Sequence, residues 1–240
     1  MAKTFQVDTG GTLTTNLIAY WKMEDATEFY NAYDVTNNGV TFSGGKVNNA
    51  GDFDGVADDM QMSNQTAYNV TSDFSWSLWV KFTNFTGGPV FVSKFNALNQ
   101  SFYFQMTSGS NLRIATSSNG TSQTNADFGW SPNTGQWYHL VVIYRDATDD
   151  VNVWIDGVDQ GNIGAATSIF AGTSAIDFGE YNGAAGNYLT GSLDELGFWS
   201  KKLSSTEVGD LYNGGSGQTM VETVALTVRR PASTLTMMGV

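Results

Sequence analysis

Short runs in which apolar and polar side chains alternate recur along this chain, and clusters of glycine, asparagine and aspartate separate the runs. In Phe74–Phe82 every second residue is apolar, beginning with Phe74, Trp76 and Leu78. This period of two belongs to a β-strand, because successive side chains of a strand point to opposite faces. Many short strands separated by such turns predict an all-β fold of two packed antiparallel sheets.

In the segment Trp137–Tyr144 the residues at odd and at even positions are both apolar, and His139 is the only exception. A strand without a polar face is covered on both sides, so this one is expected in the middle of a sheet. After a turn at Asp149 and Asp150 the alternation resumes in Val151–Ile155. The two segments therefore predict a β-hairpin.

One short helix and two terminal arms complete the predicted organisation. Ser204, followed three residues later by Glu207, forms a capping box at the start of a helix that is about two turns long. The sandwich is expected to span residues 17–216. An amino-terminal arm at 1–16 precedes it, and a carboxyl-terminal tail at 217–240 follows a glycine-rich break.

The composition excludes several classes of function. Lysine and arginine number 11 against 23 aspartates and glutamates, which gives a net charge of −12, and such a chain repels the phosphate backbone of nucleic acids. The absence of cysteine and the single histidine exclude disulfides, thiolate zinc sites and any site built from two imidazoles. We therefore predict no nucleic-acid partner.

No segment has the pattern of a targeting sequence or of a membrane-spanning helix. Residues 1–15 contain one lysine and no apolar run, and no apolar stretch elsewhere is longer than Leu140–Tyr144. A secretory signal needs an apolar stretch of about 7 to 15 residues, and a spanning helix needs about 20. We expect a protein that is made in the cytoplasm without a signal peptide and is not inserted in a membrane.

The order of six motifs along the chain resembles a known family. They are Leu17–Asp25 (LIAYWKMED), Gly44–Met60 (GGKVNNAGDFDGVADDM), Phe74–Phe82 (FSWSLWVKF), Gly135–Tyr144 (GQWYHLVVIY), Val151–Gly157 (VNVWIDG) and Gly191–Tyr212 (GSLDELGFWSKKLSSTEVGDLY). Over about residues 17–215 the chain is similar to the laminin G-like jelly rolls of the concanavalin A-like lectin and glucanase superfamily. The resemblance implies a jelly-roll sandwich of two antiparallel sheets with about six or seven strands each, one of them concave, and ligand loops at the rim.

The residues that catalysis needs on this fold are missing. Laminarinase and lichenase type hydrolases carry Glu-x-Asp-x-x-Glu on one strand, which points three carboxylates into one cleft. None of the six glutamates of this chain has that spacing, and the adjacent Asp194 and Glu195 are expected on opposite faces of a strand. His139 lies within an apolar strand and is expected to be a packed histidine that hydrogen-bonds a neighbour. We predict that the protein is not an enzyme.

Acidic residues concentrate after the second motif, and they suggest calcium. Asp54, Asp58 and Asp59 surround a Gly55 turn, and carboxylate oxygens on a turn are suitable ligands for this ion. The alternative is that these aspartates cap the turn by accepting backbone N–H groups. Members of the resembling family often carry one structural calcium, and the matching motif positions add Asp194 and Glu24 to the candidate ligands.

Three aromatic residues near glycine or asparagine are candidates for sugar binding: Trp130, Tyr181 and Tyr188. An aromatic ring at a rim can stack on a sugar while neighbouring polar groups bind its hydroxyls. The alternative is ordinary core packing, since most aromatic residues of a sandwich of this size are buried.

The tail contains a further strand pattern. Apolar residues alternate with small polar ones and end at a basic pair; the candidate partner-binding residues are Val224, Leu226, Val228, Arg229 and Arg230. A strand without a partner in its own sandwich can pair with an open sheet edge of a neighbour. The alternative is that it returns as one more edge strand of its own domain.

Two functions are compatible with these features. The first is a non-enzymatic structural or adhesion module of a large assembly, most concretely a bacteriophage virion protein that decorates a capsid or belongs to a tail or fibre. Its terminal arms would then contact other copies of itself or a shell protein at the particle surface, with glycans as further ligands. The alternative is a stand-alone carbohydrate-binding protein of a bacterial surface, similar to a lectin.

Overall fold

The structure is a computed structural model that describes residues 1–108, 110–181 and 187–223. Two antiparallel sheets lie face to face, with a two-stranded ribbon and one α-helix packed outside them. The predicted all-β jelly-roll sandwich with one short helix is therefore confirmed.

Seventeen strands are present in the described part of the chain. The first nine are β1 (Ala2–Phe5), β2 (Leu17–Trp21), β3 (Val35–Asn38), β4 (Thr41–Gly44), β5 (Asn49–Asp54), β6 (Asp59–Met62), β7 (Phe74–Phe82), β8 (Val90–Lys94) and β9 (Phe102–Met106). The others are β10 (Asn111–Thr116), β11 (Thr124–Gly129), β12 (Trp137–Arg145), β13 (Asp150–Ile155), β14 (Val158–Ala165), β15 (Ile176–Phe178), β16 (Thr190–Trp199) and β17 (Met220–Thr223).

The helix α1 spans Ser205–Tyr212, and single 3-10 turns occur at Thr66–Tyr68 and Asn213–Gly215. The predicted capping box is present: the Ser204 hydroxyl accepts a hydrogen bond from the Glu207 backbone, and the Glu207 carboxylate accepts one from the Ser204 backbone. In the described ranges, no helix has the length and apolar character needed to cross a bilayer.

The seven-stranded sheet has the order β11-β10-β9-β8-β15-β6-β3. The eight-stranded sheet has the order β14-β13-β12-β7-β16-β5-β4, and β2 pairs with β16. Strand β12 lies inside this sheet between β7 and β13, and all of its residues from Tyr138 to Tyr144 are buried. The predicted central strand and the predicted hairpin of β12 with β13 are both confirmed.

Aromatic rings join the two sheets at the centre of the core. Trp76 of β7 stacks on Phe198 with ring centroids 4.5 Å apart and on Trp21 at 5.9 Å. Phe178 of the opposite sheet meets Trp21 edge-on at 4.9 Å. All four side chains are fully buried, and such burial is the main favourable contribution to folding.

A second apolar layer covers the outer face of the eight-stranded sheet. Tyr20, Val141 and Trp199 of this face contact Val208 and Leu211 of α1. The helix therefore closes one side of the sheet that would otherwise expose these large side chains. Its amphipathic pattern is short because only a small patch has to be covered.

The sequence predicted extended arms at 1–16 and 217–240; the parts of them that the structure describes, 1–16 and 217–223, instead complete this second layer. Phe5, Leu13 and Met220 are buried in it, and β1 pairs with β17 in an antiparallel ribbon. The Thr9 hydroxyl donates to the Asp210 carboxylate of α1 at 2.8 Å. The physical reason is that these apolar residues cover rings on the sheet that α1 leaves open. Residues 224–240, which include the five candidate partner-binding residues, lie outside the described residues.

Replacing Met220 with alanine tests how much the ribbon stabilises the domain. Met220 is fully buried, so Met220→Ala is expected to lower the free energy of unfolding by about 2 to 5 kcal/mol in denaturant titrations. The neighbouring exposed Glu222 is the control, and Glu222→Ala is expected to change it by less than about 0.5 kcal/mol. Equal effects of the two substitutions would show that the ribbon is not part of the cooperative core.

Candidate ligand-binding surface

Three of the five candidate calcium ligands lie at the turn between β5 and β6, where each is engaged by protein donors. The Val56 backbone donates to Asp54 at 2.7 Å, which lowers the pKa of Asp54. The Asp54 backbone donates to Asp58 at 3.0 Å, and the Asn38 side chain donates to Asp59 at 2.9 Å. Asp54 and Asp58 thus have the turn-capping role that was the alternative prediction.

The other two candidates lie around the turn that precedes β5. Asp194 accepts the backbone N–H groups of Lys46 and Val47, both at 2.8 Å. Glu24 accepts the side-chain amide of Asn48 at 2.9 Å. Because β5 runs from this turn to the one that carries Asp54, the five carboxylates occupy two ends of a strand.

The structure therefore does not assemble the predicted calcium site. Among the residues described, no group of three or more histidine, cysteine, aspartate or glutamate side chains is arranged to hold a metal ion. The predicted donors do not fit one ion because they hydrogen-bond the backbone and side chains of two separate turns. Calcium binding itself stays a prediction of the family resemblance.

A thermal melt in calcium and in chelator tests that prediction. A micromolar site in millimolar calcium would add about 4 kcal/mol to stability. Because the five carboxylates are already hydrogen-bonded, we expect the melting temperature to be the same in both solutions. A clear rise in calcium would require a different set of donors.

Glu195, beside Asp194, lies at an irregularity of β16 that the alternation did not predict. Its φ is +48°, and the pairing of β16 with β7 shifts between Asp194 and Gly197. As a result both neighbouring carboxyl groups are buried, with Asp194 at 0% and Glu195 at 3% exposure. With strict alternation of side-chain direction along the strand, the two carboxyl groups would have pointed to opposite faces of the sheet.

The hydrogen bonds around Glu195 indicate that its carboxyl group is protonated. The Tyr20 hydroxyl is within hydrogen-bonding distance of the Glu195 carboxyl group and, at 3.1 Å, of the Gln218 carbonyl. A tyrosine hydroxyl has one hydrogen and can donate only once. Both contacts are satisfied if Glu195 is a neutral acid that donates to Tyr20, which then donates to Gln218. Burial and the neighbouring Asp194 raise the pKa of Glu195, which agrees with this assignment.

Protonation of the buried Asp194 and Glu195 carboxyl groups makes the stability of the domain depend on pH. Burial raises the pKa of Asp194 to about 8 and that of Glu195 well above its usual value. Carboxyl groups whose pKa is raised by folding bind more protons in the folded state, so stability is lost as the pH rises towards the folded pKa. Each such group lowers the free energy of unfolding by up to about 1.4 kcal/mol per pH unit, so we expect a fall of about 3 to 4 kcal/mol for the two between pH 6.5 and pH 8.

The Glu195→Gln variant is expected to show a smaller loss over the same pH range, because its amide retains a donor for Tyr20 and has no proton to lose. Glu222→Gln, at an exposed position, is the control and should keep the wild-type slope. Identical slopes for all three proteins would mean that Glu195 is ionised in the folded state.

The single histidine is a packed residue, as predicted. His139 is 1% exposed, and its Nε2 lies 2.8 Å from the Ser77 hydroxyl. The rings of Trp79 and Tyr212 cover it at 5.1 and 5.9 Å. Burial lowers its pKa to about 3, so the imidazole is neutral and is not in reach of a substrate.

The three candidate sugar-binding aromatics lie in different environments. Trp130 packs edge-on against Phe82 and Tyr138 of the core, with ring centroids 6.2 and 5.3 Å apart. Tyr181 and Tyr188 are half-buried on the segment between β15 and β16, at the seven-stranded sheet. All three side chains are half-buried; Trp130 packs against the main core, and Tyr181 packs against a smaller cluster that contains Phe95 and Tyr103.

Tyr181 stacks on Tyr103 at the outer face of the seven-stranded sheet. The two rings are nearly parallel, with centroids 5.5 Å apart, and the Phe95 ring meets Tyr181 edge-on at 5.5 Å. Pairing of the strands places Tyr103 in one row with Ser93, Asp177 and other residues that point away from the core. Tyr181 is the accessible ring of this stack.

Polar side chains surround the stack, and the motif comparison missed them. Strand pairing and one hydrogen bond place them on the same face of the sheet as the stack: Gln61, Gln105, Arg113, Gln123 and Asp177. The alternation in Phe102–Met106 contains the necessary signal, because Phe102 and Phe104 face the core and Tyr103 and Gln105 must therefore face outwards. We call this set, together with Tyr103 and Tyr181, the outer-face site.

The charges of the outer-face site are fixed by hydrogen bonds. Gln61 donates to Asp177 at 2.9 Å, and burial together with Asp59 raises the pKa of Asp177 to about 6. Arg113 makes two parallel hydrogen bonds with Asp127, both at 2.8 Å. Such a bidentate pair holds the guanidinium plane in one orientation.

Two small cavities lie in the segment that joins β2 to β3. One of about 270 Å³ is lined by residues that include Glu28 and Tyr33, and one of about 210 Å³ by residues that include Lys22 and Phe29. Glu28 is held by the backbone of its own loop, since the Tyr30 N–H donates to it at 2.7 Å.

Comparison with known families places the chain in a described superfamily. A model described as the concanavalin A-like lectin/glucanases superfamily matches residues 54–209, more than half of the chain. A search of curated protein sequences finds no significant match.

Solved structures share the fold at low sequence identity. Domain 4 of an extracellular arabinanase from Geobacillus stearothermophilus, in complex with arabinotriose, has a TM-score of 0.64 and 20% identity, over 81% of this chain and 97% of that one. The botulinum neurotoxin serotype D binding domain has a TM-score of 0.64 and 13% identity, over 83% of this chain and 52% of that one. The binding domain of Paraclostridial Mosquitocidal Protein 1 has a TM-score of 0.66 and 16% identity, over 83% and 52%. This chain spans about half the length of the toxin domains.

Proposed function

The chain belongs to the concanavalin A-like lectin/glucanases superfamily, and we propose that it acts as a non-catalytic glycan-binding module. The observation that carries the proposal is the outer-face site, in which the accessible Tyr181 ring stands among side chains that donate and accept hydrogen bonds. An aromatic ring binds the C–H face of a sugar, and the polar neighbours bind its hydroxyl groups.

The aromatic pair is held in place by its surroundings. The Gln123 amide donates to the Tyr103 hydroxyl at 3.0 Å, and the Gln105 amide donates to the Gly88 carbonyl at 2.8 Å. A ring whose position is fixed before binding loses little conformational freedom when a ligand stacks on it. The site is therefore organised for recognition without a conformational change.

Two observations support a role without catalysis. Of the carboxyl groups at the site, Asp177 and the neighbouring Glu180 are 3% and 4% exposed, and Asp127 is held in a bidentate ion pair by Arg113. Glycosidases need two carboxyl groups on either side of the scissile bond. The only imidazole of the chain is enclosed by Trp79 and Tyr212.

The structural relatives support the choice of ligand. The arabinanase domain with this fold is in complex with arabinotriose, and the binding domain of botulinum neurotoxin DC is in complex with SialylT. Sugar ligands thus occur with proteins of this fold, although the identity to each is 20% or less.

Binding to an array of oligosaccharides, followed by calorimetric titration of the best ligand, tests the proposal. Tyr181→Ala is expected to weaken the affinity by about tenfold or more, because stacking on an aromatic ring is worth roughly 1 kcal/mol or more. Tyr181→Phe retains the ring and should retain most of the affinity. Tyr30→Ala, at a half-buried tyrosine near β1, is the control for non-specific loss.

The same samples also test the absence of catalysis. We expect no release of reducing sugar from any ligand that binds. Release that a single aspartate or glutamate substitution abolishes would contradict the non-catalytic role, and an array without any ligand would contradict glycan binding.

A finer role, as a structural or adhesion module of a bacteriophage virion, is supported by one structural feature. Strand β17 pairs only with β1 among the described residues, so its other edge is open next to the tail that carries the basic pair Arg229 and Arg230. An open edge is suited to pairing with a neighbouring subunit. Mass spectrometry of purified particles, which should contain the chain in stoichiometric copies, tests this role and the predicted location at a particle surface.

A further inference from the structure

We infer that the side chains of Lys94 and Asn64 react with each other to form an intramolecular isopeptide bond, a covalent cross-link that does not depend on glycan binding. The Lys94 Nζ atom donates a hydrogen bond to Asn64 Oδ1 at 2.8 Å. An amine that the fold holds this close to a carboxamide has a very high effective concentration towards it. The product is a secondary amide that joins Lys94 Nζ to Asn64 Cγ.

The two residues meet where three strands of the seven-stranded sheet come together. Lys94 is the last residue of β8, and Asn64 follows the end of β6. Strand β15 lies between these two strands and is antiparallel to both, so it begins at the same edge of the sheet. The Ser174 carbonyl, just before β15, accepts a second hydrogen bond from Lys94 at 2.8 Å. The pairing of three strands therefore holds the amine against the amide.

The Lys94 side chain is enclosed, although lysine is almost always an exposed residue. It is 1% exposed, and burial lowers its pKa to about 8 against the opposing charge of Asp177. In the described part of the chain, no carboxylate makes an ion pair with it. An amine with this pKa is neutral in roughly one-tenth of the molecules at pH 7, and only the neutral amine has a lone pair for nucleophilic attack.

The reaction needs no oxidant and no cofactor. The lone pair of neutral Lys94 Nζ attacks Asn64 Cγ, and the electron pair of the C=O double bond moves to Oδ1. One proton passes from Nζ to Nδ2, the Cγ–Nδ2 bond breaks as the C=O bond forms again, and the nitrogen leaves as ammonia. Asn64 is half-buried, so the ammonia has a route to solvent.

The Ser174 carbonyl has a second role in this geometry. A neutral amine has two hydrogens, and Asn64 Oδ1 and the Ser174 carbonyl accept one each. Among the described residues, no hydrogen bond holds the Nδ2 group of Asn64. The nucleophile is thus held in place while the leaving group is free to depart.

The cross-link changes how the seven-stranded sheet is held together. It connects β6 to β8 across β15, which is only three residues long and carries Phe178 into the core. A covalent connection between distant segments restricts the unfolded chain and thereby stabilises the folded one. The segment that carries Tyr181 begins directly after β15, so the bond also secures the base of the outer-face site.

Mass spectrometry of the purified wild-type chain tests the inference without any substitution. Because the reaction releases ammonia, the chain is expected to be about 17 Da lighter than its sequence. Trypsin does not cleave after an amidated lysine, so residues 47–81, which contain Asn64, and residues 82–113 should form one branched peptide. Formation of a succinimide at a pair such as Asn119–Gly120 also releases ammonia, but it leaves these peptides separate.

One variant removes the cross-link and keeps a hydrogen-bond donor. Lys94→Arg has no nucleophilic amine, so it should have its full sequence mass and melt roughly 5 to 15 °C below the wild type. The matched control is Lys81→Arg, at a lysine whose ammonium lies over the Trp137 ring; this variant should keep both the branched peptide and the melting temperature.

Two results would overturn the inference. The first is a wild-type chain that trypsin cleaves after Lys94 and that has its full sequence mass, and the second is a loss of ammonia that maps to any other residue. Both can be read from the wild-type protein even if Lys94→Arg does not fold. Neither result bears on the glycan array, which tests the proposed function separately.

Discussion

Contact between the two sheets through the Trp76 side chain is the interaction on which the rest of the structure depends. Trp76 lies between Trp21 and Phe198 of its own sheet, and Phe178 reaches it edge-on from the other sheet at 6.1 Å. This arrangement fixes the distance between the sheets and the direction in which the next residues point. Phe178 follows Asp177 on β15, so the packing that buries Phe178 also turns Asp177 towards the outer face.

The local sequence pattern was sufficient to predict those parts of the fold that are determined within a single strand or helix. The apolar alternation in Phe74–Phe82, the doubly apolar run at Trp137–Tyr144 and the capping box at Ser204 all correspond to observed elements. Each of these signals is carried by neighbouring residues, because side-chain direction in a strand and hydrogen bonding at a helix start are set locally.

Features that join distant segments could not be predicted in this way. Pairing of β1 with β17 brings together residues more than two hundred positions apart, and nothing near Phe5 in the sequence indicates that Met220 is buried in the same apolar layer. The irregularity at Glu195 breaks the alternation that predicted opposite faces for Asp194 and Glu195. For the candidate site, the choice of Tyr181 could be made from sequence, whereas its partner Tyr103 and the neighbouring Asp177 became apparent only once the strands were placed in order.

The antiparallel ribbon of β1 and β17 also determines how the domain responds to mechanical load. Ala2 lies opposite Thr223, and Phe5 lies opposite Met220. A force that pulls these two ends apart acts along the inter-strand hydrogen bonds and breaks them one after another, beginning at Ala2. The ribbon therefore separates first under load. The force reaches the two sheets only after Phe5 and Met220 have left the apolar layer.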